Sequence, residues 1–466
     1  MGEQSPATGQ KPALTGQLPL WSKAAPARGV QGQMPLYTFL SSPALKSGVS
    51  RKEVLMKVSK PTVLDLRRIN RSTVLRRIYL DRSVSRQELT ELSGLSSGTV
   101  TNVVAELLQE GIVIESGIEA SQGGRPRSIL TINPHYWYFI GVEVGDTLIR
   151  IELFDLTLHK LGAVAYPAVL SENQPEQVVE YIDQGVKAVL AEAGVALENV
   201  LGVGVSVGGI VEQVEHVFAY LPSWGWRRVP LATLLEERFH LPIYLENATK
   251  VMAQAESLFG AGQGYEHVAV LLVATGIGAG IIADGSLYRG AGNSAGEWGH
   301  MTIELEGRPC RCGSRGCLEA YAGAPGIIAS LRAMAPQSSL LHGNDQESTL
   351  AAIVDAARRG EPAATQVLKD TVHYLGVGIA NLVNLFNPQL ILLGGWAGLQ
   401  FGEYVLPELR QCVERYALKQ PLSLAKIDLC QLGQDAVAMG AATLVLEQFL
   451  TTTGRSNPPS QLRALA

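Results

Sequence analysis

The chain has 466 residues, of which 46% are hydrophobic and 17% are charged, and its formal net charge is -5. This length is too great for one ordinary hydrophobic core and predicts two or three domains. The sequence has no run of about 18 apolar residues, which excludes a membrane-spanning helix, and its N-terminal stretch lacks the charged-then-apolar pattern of a signal peptide, so we expect a cytoplasmic protein.

Both ends of the chain are predicted to be tails. Residues 1–60 are rich in Pro, Gly, Ser, Gln and Ala without an apolar period, which predicts a disordered or loosely ordered segment. Residues 451–466 are expected to form a C-terminal tail. Charge is unevenly distributed, because residues 51–127 carry 13 Lys and Arg against 9 Asp and Glu. A basic front region on an acidic body favours contact with a polyanion.

Residues 61–133 are predicted to form a winged helix-turn-helix. Helical apolar spacing over NRSTVLRRIYL and SRQELTELSGL indicates two helices, the second capped by Ser85 and burying Leu89 and Leu92. A third helix, SSGTVTNVVAELLQEG, begins at a Ser96 cap and carries one continuous apolar face. Two helices joined by a short turn that contains glycine are typical of a helix-turn-helix. The segments IVIESG and RSILTI then indicate the two strands of a wing.

The third helix of this unit would present small polar side chains to DNA. Our candidate contacts on this helix are Ser96, Ser97, Thr99, Thr101 and Asn102. Asn can form two hydrogen bonds with adenine, and Ser or Thr can bond base edges or phosphates. In the wing, Arg125 and Arg127 flank Pro126, and arginines on a stiffened loop suit a narrow minor groove. The alternative is that this unit binds another protein rather than DNA.

From residue 134 to residue 450 the pattern changes to strands that alternate with helices, which is typical of an α/β fold. YFIGVEVG, IRIELFDL, VLGVGVSVGG and LILLGG indicate strands, and HVAVLLVATGIGAGIIADG indicates a hairpin around a glycine-rich turn. QPEQVVEYIDQGVKAVLAEAG and TVHYLGVGIANLVNLFNP indicate helices. This region is long enough for two lobes, and ligands of such folds bind at strand ends, between lobes.

Three of the five cysteines lie close to one histidine in the sequence. His300, Cys310, Cys312 and Cys317 have the spacing H-x9-C-x-C-x4-C. One imidazole and three thiolates predict a closed tetrahedral zinc site of the structural type, with no open position for an activated water. The alternative is a chance cluster of reduced cysteines, since five clustered cysteines do not indicate a disulfide framework. The arginines of RPCRCGSR are expected to help keep the thiols deprotonated.

The segment GEWGH followed by CRCGSRGCLE resembles the signature of the ROK family of repressors, open reading frames and sugar kinases. The resemblance extends from about residue 70 to about residue 446 and includes the GGRP after the wing and LENATKVMAQAE. It implies an α/β chain with an N-terminal winged helix-turn-helix followed by a two-lobed, actin-like (sugar kinase/ROK) domain. The front domain resembles that of the family's repressors rather than its free-standing kinases.

The resemblance also implies a sugar pocket. Its candidate residues are Gly209, Asn247, Glu297, His300 and Glu319. His300 would serve two sites, with one ring nitrogen on the zinc ion and the other toward the sugar. The alternative for Glu297 and Glu319 is that both are surface carboxylates.

The family's kinases carry a catalytic Asp in a segment of the form E-N-D-A-N, because the attacking hydroxyl needs a proton acceptor. Here the segment is ENATK, and Ala248 at the base position cannot accept a proton. The first phosphate loop, D-x-G-G-T or similar in the kinases, is EVGDT here, so Asp146 would place a negative charge close to where phosphates would sit. We therefore expect no enzyme activity.

Two functions from different classes fit these features. The first is a sugar-responsive DNA-binding regulator of carbohydrate metabolism genes, expected to be a repressor. The second is a ROK sugar kinase with an appended DNA-binding domain, and a third, weaker hypothesis is a sugar-binding scaffold without a DNA role. Ala248 favours the first. The expected partners are operator DNA, a small sugar effector and further copies of the chain in a dimer or tetramer, without a membrane, and the expected cofactor is structural Zn2+.

Overall fold

A computed structural model of the chain describes residues 62–119, 127–168, 173–213, 217–343 and 345–454. The helices in these ranges are α1 (Val63–Asp81), α2 (Arg86–Ser93), α3 (Ser97–Gln109), α4 (Pro175–Ala193), α5 (Leu231–Phe239), α6 (Ala248–Phe259), α7 (Glu319–Ala322), α8 (Ala324–Met334), α9 (Gln346–Arg358), α10 (Pro362–Phe386), α11 (Trp396–Tyr416), α12 (Lys419–Leu422) and α13 (Ala436–Thr451). The strands are β1 (Val84–Ser85), β2 (Val113–Glu119), β3 (Arg127–Ile132), β4 (Tyr138–Val144), β5 (Leu148–Asp155), β6 (Lys160–Pro167), β7 (Val200–Val207), β8 (Ile210–Gln213), β9 (Val217–Leu221), β10 (Trp226–Val229), β11 (Ile243–Asn247), β12 (Val268–Val273), β13 (Ile277–Ala283), β14 (Ser286–Leu287), β15 (Leu390–Gly394) and β16 (Lys426–Leu429). The predicted N-terminal tail lies outside the described ranges, as do residues 455–466.

The first three helices and a small sheet form the winged helix-turn-helix that the sequence predicts. The sheet has the order β1-β3-β2, and β2 pairs antiparallel with β3 to form the wing. Helix α2 begins after Ser85, whose hydroxyl accepts from the N–H of Glu88, and ends at Gly94 with a φ of 68°. Leu89 is buried as predicted, whereas Leu92 is 47% exposed. The prediction for Leu92 was wrong, because Leu89 is the one residue of this eight-residue helix that is buried.

The body contains two five-stranded sheets of the same topology, one in each lobe. The first has the order β6-β5-β4-β7-β11 and the second β14-β13-β12-β15-β16. In each sheet the first three strands in chain order pair antiparallel, and the last two are added in parallel. A smaller antiparallel sheet of β8, β9 and β10 belongs to the first lobe. The fold is therefore a mixed α/β fold of two lobes, as predicted.

Helices α6 and α13 lie between the lobes and pack against each other. Helix α6 contacts β12 and β13 of the second sheet, whereas α13 contacts β4 and β7 of the first. The backbones approach closely: a Cβ at Gly204 would overlap the carbonyl group of Ala441, and one at Gly440 would overlap that of Val251. Helix α13 therefore joins the first sheet directly to a helix of the second lobe.

The winged domain shares a hydrophobic core with the body. Leu75 and Ile112 of the winged domain belong to the same buried cluster as Phe139, Leu446 and Phe449 of the body. Burial of these side chains in one cluster favours a fixed orientation of the winged domain on α13.

Buried Arg71 adds a polar connection at the same junction. Its Nε donates to the carbonyl oxygen of Thr453 at 2.9 Å, and its guanidinium forms ion pairs with Glu106 and Glu110. A buried charge is costly unless it is paired. Arg71 of α1 therefore ties the end of α13 to helix α3.

Candidate functional site

A cleft opens between the two lobes and contains about 1230 Å³ of space, including its solvent-filled mouth. The turn between β4 and β5, the N-terminus of α6 and the turn between β12 and β13 all contribute to its wall. The predicted sugar-binding residues that line it are Gly209, Asn247, Glu297, His300 and Glu319. The fold thus brings the whole predicted set together.

His300, Cys310, Cys312 and Cys317 form a compact cluster of donors at the edge of this cleft. Their ligand atoms all lie within 4.8 Å of one another. His300 Nδ1 is 3.7 Å from Cys310 Sγ, and Cys312 Sγ is 3.8 Å from Cys317 Sγ. One imidazole nitrogen and three sulfurs at these separations fit a tetrahedral metal ion. The cluster could therefore hold a metal ion.

Backbone pairing holds the loop that carries the cysteines. Thr302 pairs with Cys317, and Pro309 pairs with Arg315. The N–H of Cys310 donates to the carbonyl oxygen of Ser314 at 2.9 Å. These pairings bring the two ends of the loop together and place the sulfurs beside His300.

The arginines near the cysteines have other partners. Arg308 lies over the ring of Tyr321, and Arg311 forms ion pairs with two carboxylates. These contacts direct both guanidinium groups to partners other than the thiols, and the expectation that the arginines keep the thiols deprotonated stays a prediction. Burial raises the pKa of the Cys310 thiol to about 12, so a metal ion must displace protons to bind there.

Glu297 and His300 lie on one short 3-10 turn that faces the cleft. His300 Nε2 is 4.0 Å from Glu297 Oε2, whereas the other ring nitrogen faces Cys310. One imidazole can therefore serve the cysteine cluster and the cleft at once. Between them, Trp298 is buried and donates through Nε1 to the carbonyl oxygen of Gly378 at 3.1 Å, which anchors the turn to α10. Burial raises the pKa of Glu297.

Asn247 caps helix α6 and borders the cleft. Its Oδ1 accepts from the N–H groups of Thr249 and Lys250, at 2.9 and 3.3 Å, and its Nδ2 donates to the carbonyl oxygen of Gly209 at 2.8 Å. Because an amide nitrogen carries two hydrogens, the bond to Gly209 leaves the second hydrogen of Nδ2 available for a ligand in the cleft. Asn247 can therefore contact a ligand oxygen as a donor.

Ala248, the first residue of α6, lines the cleft. The nearby carboxylate of Glu246 is 2% exposed and is held by three donors. Its Oε1 accepts from the N–H of Asn247 and from Nδ2 of Asn293, both at 2.9 Å, and its Oε2 accepts from Nε of Arg289 at 3.2 Å. This carboxylate is thus bonded to three donors of the protein itself.

Glu319 lies on the floor of the cleft with a side chain that is 6% exposed, so it is not a surface carboxylate. Its Oε2 accepts from the N–H of Ile277 at 2.9 Å, and its Oε1 accepts from Nε of Arg311 at 2.8 Å. Arg311 also donates through Nη1 to Oδ2 of Asp146, at 2.8 Å. Sequence reasoning missed this pairing, because a separation of 165 residues leaves no local signal.

Comparison with known proteins agrees with this architecture. Residues 139–448, about two thirds of the chain, match the ROK family. The chain belongs to the ROK family. It is 30% identical over 390 residues to the xylose repressor of Caldicellulosiruptor bescii. The aligned region covers 83% of this chain and 97% of that repressor.

Two solved structures of ROK proteins are similar to this chain. A ROK family transcriptional regulator, a homologue of the E. coli MLC protein, has a TM-score of 0.70 at 26% identity, covering 86% of this chain and 99% of its own. A ROK glucokinase from Streptomyces griseus, in complex with glucose and AMPPNP, has a TM-score of 0.58 at 30% identity, covering 66% and 98%. The regulator thus matches a larger share of this ROK chain than the kinase does.

On the winged domain of this ROK chain, helix α3 presents a polar side to solvent. Ser97, Thr101 and Asn102 are exposed there. Ser96 and Thr99 have a structural task, because the Ser96 hydroxyl accepts from the N–H of Thr99 at 3.2 Å and the two hydroxyls lie 2.9 Å apart. This capping contact sets Ser96 and Thr99 apart from the three exposed residues.

The structure describes one of the two predicted wing arginines. Arg127 is exposed at the first position of β3, whereas Arg125 lies outside the described residues. Within the part of this ROK chain that the structure describes, no helix combines the length and the apolar character needed to cross a bilayer.

Proposed function

We propose that this ROK protein is a sugar-responsive, DNA-binding transcriptional repressor of carbohydrate metabolism genes. The observation that carries the proposal is the winged domain that shares one hydrophobic core with the two-lobed body. A DNA-binding module fixed to the body can respond to what the body binds, because both sites then bias the same conformational equilibrium. Similarity to a xylose repressor along most of the chain supports this function.

The sugar would bind in the inter-lobe cleft. Glu297 and Glu319 would supply acceptors for its hydroxyls, and Asn247 would donate through its remaining amide hydrogen. Nε2 of His300 would complete the polar set, and Gly209 would allow close approach of the backbone. A few polar groups that converge in a cleft suit a small polyol ligand.

The same cleft would not phosphorylate its sugar. Ala248 stands where the family's kinases carry their base, and Glu246 is held by three protein donors. Loss of a general base costs about 10²–10⁴-fold in rate. We therefore propose binding without turnover.

Zn2+ is the ion that we propose for the His300 cluster, because one imidazole and three thiolates are typical of its closed structural sites. The protein would hold it through His300 Nδ1 and the three cysteine sulfurs. Held in this way, the His300 ring keeps Nε2 toward the cleft. Metal binding would thus organise the sugar pocket without taking part in chemistry.

Helix α13 is the proposed route from the sugar to DNA. Val437 in its first turn lines the cleft, and near its other end the carbonyl oxygen of Leu450 accepts from Ser72 of α1 at 2.8 Å. A sugar can have a higher affinity for the conformation with one inter-lobe angle than for another. Its binding would then shift α13 and, with it, the winged domain. In a homo-oligomer, a dimer or a tetramer, such shifts would re-space the winged domains on a palindromic operator. Since the target would be chromosomal DNA, we propose a cytoplasmic location.

The test uses the full chain and a genomic DNA fragment that the protein itself selects, followed by fluorescence anisotropy at two salt concentrations. Xylose, glucose and N-acetylglucosamine are then titrated in. We expect one sugar to weaken DNA binding by about tenfold or more. Glu297→Gln should abolish this response without changing DNA binding in the absence of sugar. Glu306→Gln, at an exposed carboxylate of the same region, is the control and should change neither.

Three results would argue against the proposal. DNA binding that no sugar alters would refute the sugar response, and the absence of salt-sensitive DNA binding would refute the regulator. Sugar-dependent ADP release in a coupled assay would support a kinase instead, as the similarity to the glucokinase suggests.

A further inference from the structure

Arg311 joins the two lobes across the cleft. It belongs to the cysteine loop of the second lobe, where Nε donates to Glu319 Oε1 at 2.8 Å. Its Nη1 donates to Oδ2 of Asp146, on the β4–β5 turn of the first lobe, at 2.8 Å. Asp146 is itself oriented by Ser223, whose hydroxyl donates to the other carboxylate oxygen at 3.1 Å. The guanidinium is therefore held between two oriented carboxylates.

This ion cluster fills the space between two glycine-containing turns. One is the β4–β5 turn that carries Asp146, and the other is the β12–β13 turn. A Cβ at Gly276 of the second turn would overlap the Arg311 guanidinium, which shows how closely the side chain lies against that backbone. The N–H of Ile277, the first residue after this turn, already donates to Glu319 at 2.9 Å. Two donors that a phosphate group could use here, the Arg311 guanidinium and the Ile277 N–H, are thus bonded to the protein's own carboxylates.

Carboxylates outnumber guanidinium groups in the lining of the cleft. The described lining contains the carboxylates of Glu143, Asp146, Glu297, Glu319 and Glu347 and the guanidinium groups of Arg150 and Arg311. Arg150 is also engaged, with carboxylate oxygens of Glu143 and Asp435 at 3.8 and 3.4 Å. A phosphate dianion entering beside Arg311 would meet the carboxylates of Asp146 and Glu319 and a cation that is already paired with both.

We propose that the effector is an uncharged sugar, and that Asp146 determines this specificity by occupying Arg311 and so excluding phosphorylated sugars. The inference rests on the proposed sugar-binding function and adds the charge class of the ligand. A neutral sugar can bond to the remaining lone pairs of the carboxylates and leave the Asp146–Arg311 pair intact. A sugar phosphate would have to break that pair or remain unpaired beside Asp146, and either alternative costs affinity.

Isothermal titration calorimetry on the full chain tests this inference, with xylose, glucose and N-acetylglucosamine each compared with its own phosphate ester. We expect wild-type protein to bind one parent sugar at least about tenfold more tightly than its phosphate. Asp146→Asn, which preserves the shape of the side chain, should tighten binding of the phosphate by about tenfold while changing the parent sugar by less than about threefold. The double variant Asp146→Asn, Arg311→Gln should not bind the phosphate more tightly than wild type, because it lacks the guanidinium that Asp146→Asn releases.

Glu347→Gln is the matched control, because it removes the same charge from the lining and Glu347 has no ion pair with Arg311 among the described contacts. It should tighten phosphate binding by less than about threefold. Thermal unfolding of each variant establishes that it is folded, and Arg311→Lys provides a second variant at the arginine. A wild-type chain that prefers the phosphate, or an Asp146→Asn variant with an unchanged preference, would overturn the inference while leaving the sugar-responsive function standing. If neither sugars nor their phosphates bind to any folded variant, the proposed function itself fails.

Discussion

Arg76 of α1 and Glu447 of α13 form an ion pair through two hydrogen bonds, 3.0 and 2.8 Å long. Such a two-bonded pair fixes orientation as well as adding energy. At the opposite end of the same helix, Val437 lines the inter-lobe cleft. The Arg76–Glu447 pair therefore lies at the junction where a movement of α13 would reach the winged domain.

Arg76→Gln is expected to weaken the coupling between sugar and DNA more than it weakens either binding event. Loss of a partly exposed pair should cost about 0.5–1 kcal/mol of folding stability. The sugar-induced change in DNA affinity should shrink by about threefold or more, since residues on a coupling route modulate it by about 0.5–2 kcal/mol. DNA anisotropy with and without saturating sugar measures the coupling, and calorimetry measures sugar affinity.

Arg86→Gln is the matched control for that variant. The side chain of Arg86 is 36% exposed, like that of Arg76, and its partner Glu115 belongs to the winged domain itself. The sugar response of this variant should equal that of the wild type. The α13 route would be rejected if Arg76→Gln kept the full response or if both variants lost it equally.

Cys312→Ser should remove the metal ion and weaken the sugar pocket. Cys312 is the exposed member of the cluster, so the substitution leaves the core intact. Zinc content should fall from about one ion per chain to near zero, measured by mass spectrometry of the purified protein. Sugar affinity should fall by about tenfold, because His300 loses the metal ion that orients its ring.

Cys412→Ala is the control for metal loss, because Cys412 is buried outside the cluster. This variant should retain zinc and sugar affinity. Full zinc occupancy in Cys312→Ser would contradict the four-donor site. Unchanged sugar affinity after zinc loss would show that the cluster stabilises its loop but does not organise the sugar pocket.

Asn102→Ala should relax base preference. The side chain is exposed on α3, and an Asn–adenine pair contributes about 1–3 kcal/mol of discrimination. Binding to a randomised operator library should therefore lose preference at one or two positions, while the salt dependence changes little. Gln109→Ala, at the exposed far end of the same helix, should leave the preference unchanged. An unaltered preference in Asn102→Ala would place base recognition elsewhere.

Glu152 should make folding stability depend on pH. Burial and the neighbouring Asp435 raise the pKa of Glu152 from 4.5 to about 7, against the opposing effect of Lys160 and Arg150. Between these two pKa values the folded protein holds a proton that the unfolded chain has released, so stability falls as pH rises from 4.5 to about 7. The Tm of Glu152→Gln minus the Tm of wild type should therefore be larger at pH 8 than at pH 5.5, by about 2 °C or more.

Differential scanning calorimetry at both pH values checks this prediction. Glu198→Gln, at an exposed carboxylate of the same lobe, should give the same Tm difference from wild type at each pH. A Glu152→Gln difference that does not change with pH would show that this carboxylate is ionised in the folded protein throughout the range.

Local signals in the sequence were enough to predict most of the architecture. The caps at Ser85 and Ser96, and the apolar period that follows each, predicted the helices of the winged domain because helix formation depends on neighbouring residues. Strand–helix alternation predicted the α/β body, and the spacing from His300 to Cys317 predicted a cluster whose donors do lie together.

Contacts between distant residues were decided only by the tertiary structure. No pattern around Asp146 or Arg311 indicates that they meet, since 165 residues separate them and each is brought to the cleft by a different lobe. The same holds for Arg76 and Glu447, which α1 and α13 bring together from opposite ends of the chain. The sequence alone determined which elements form and which four residues could bind a metal, because those signals are short-range, whereas the sugar-binding candidates came from the family resemblance. The packing of the lobes decided which charges are paired across the cleft, because it sets the distances on which the interaction between charges depends.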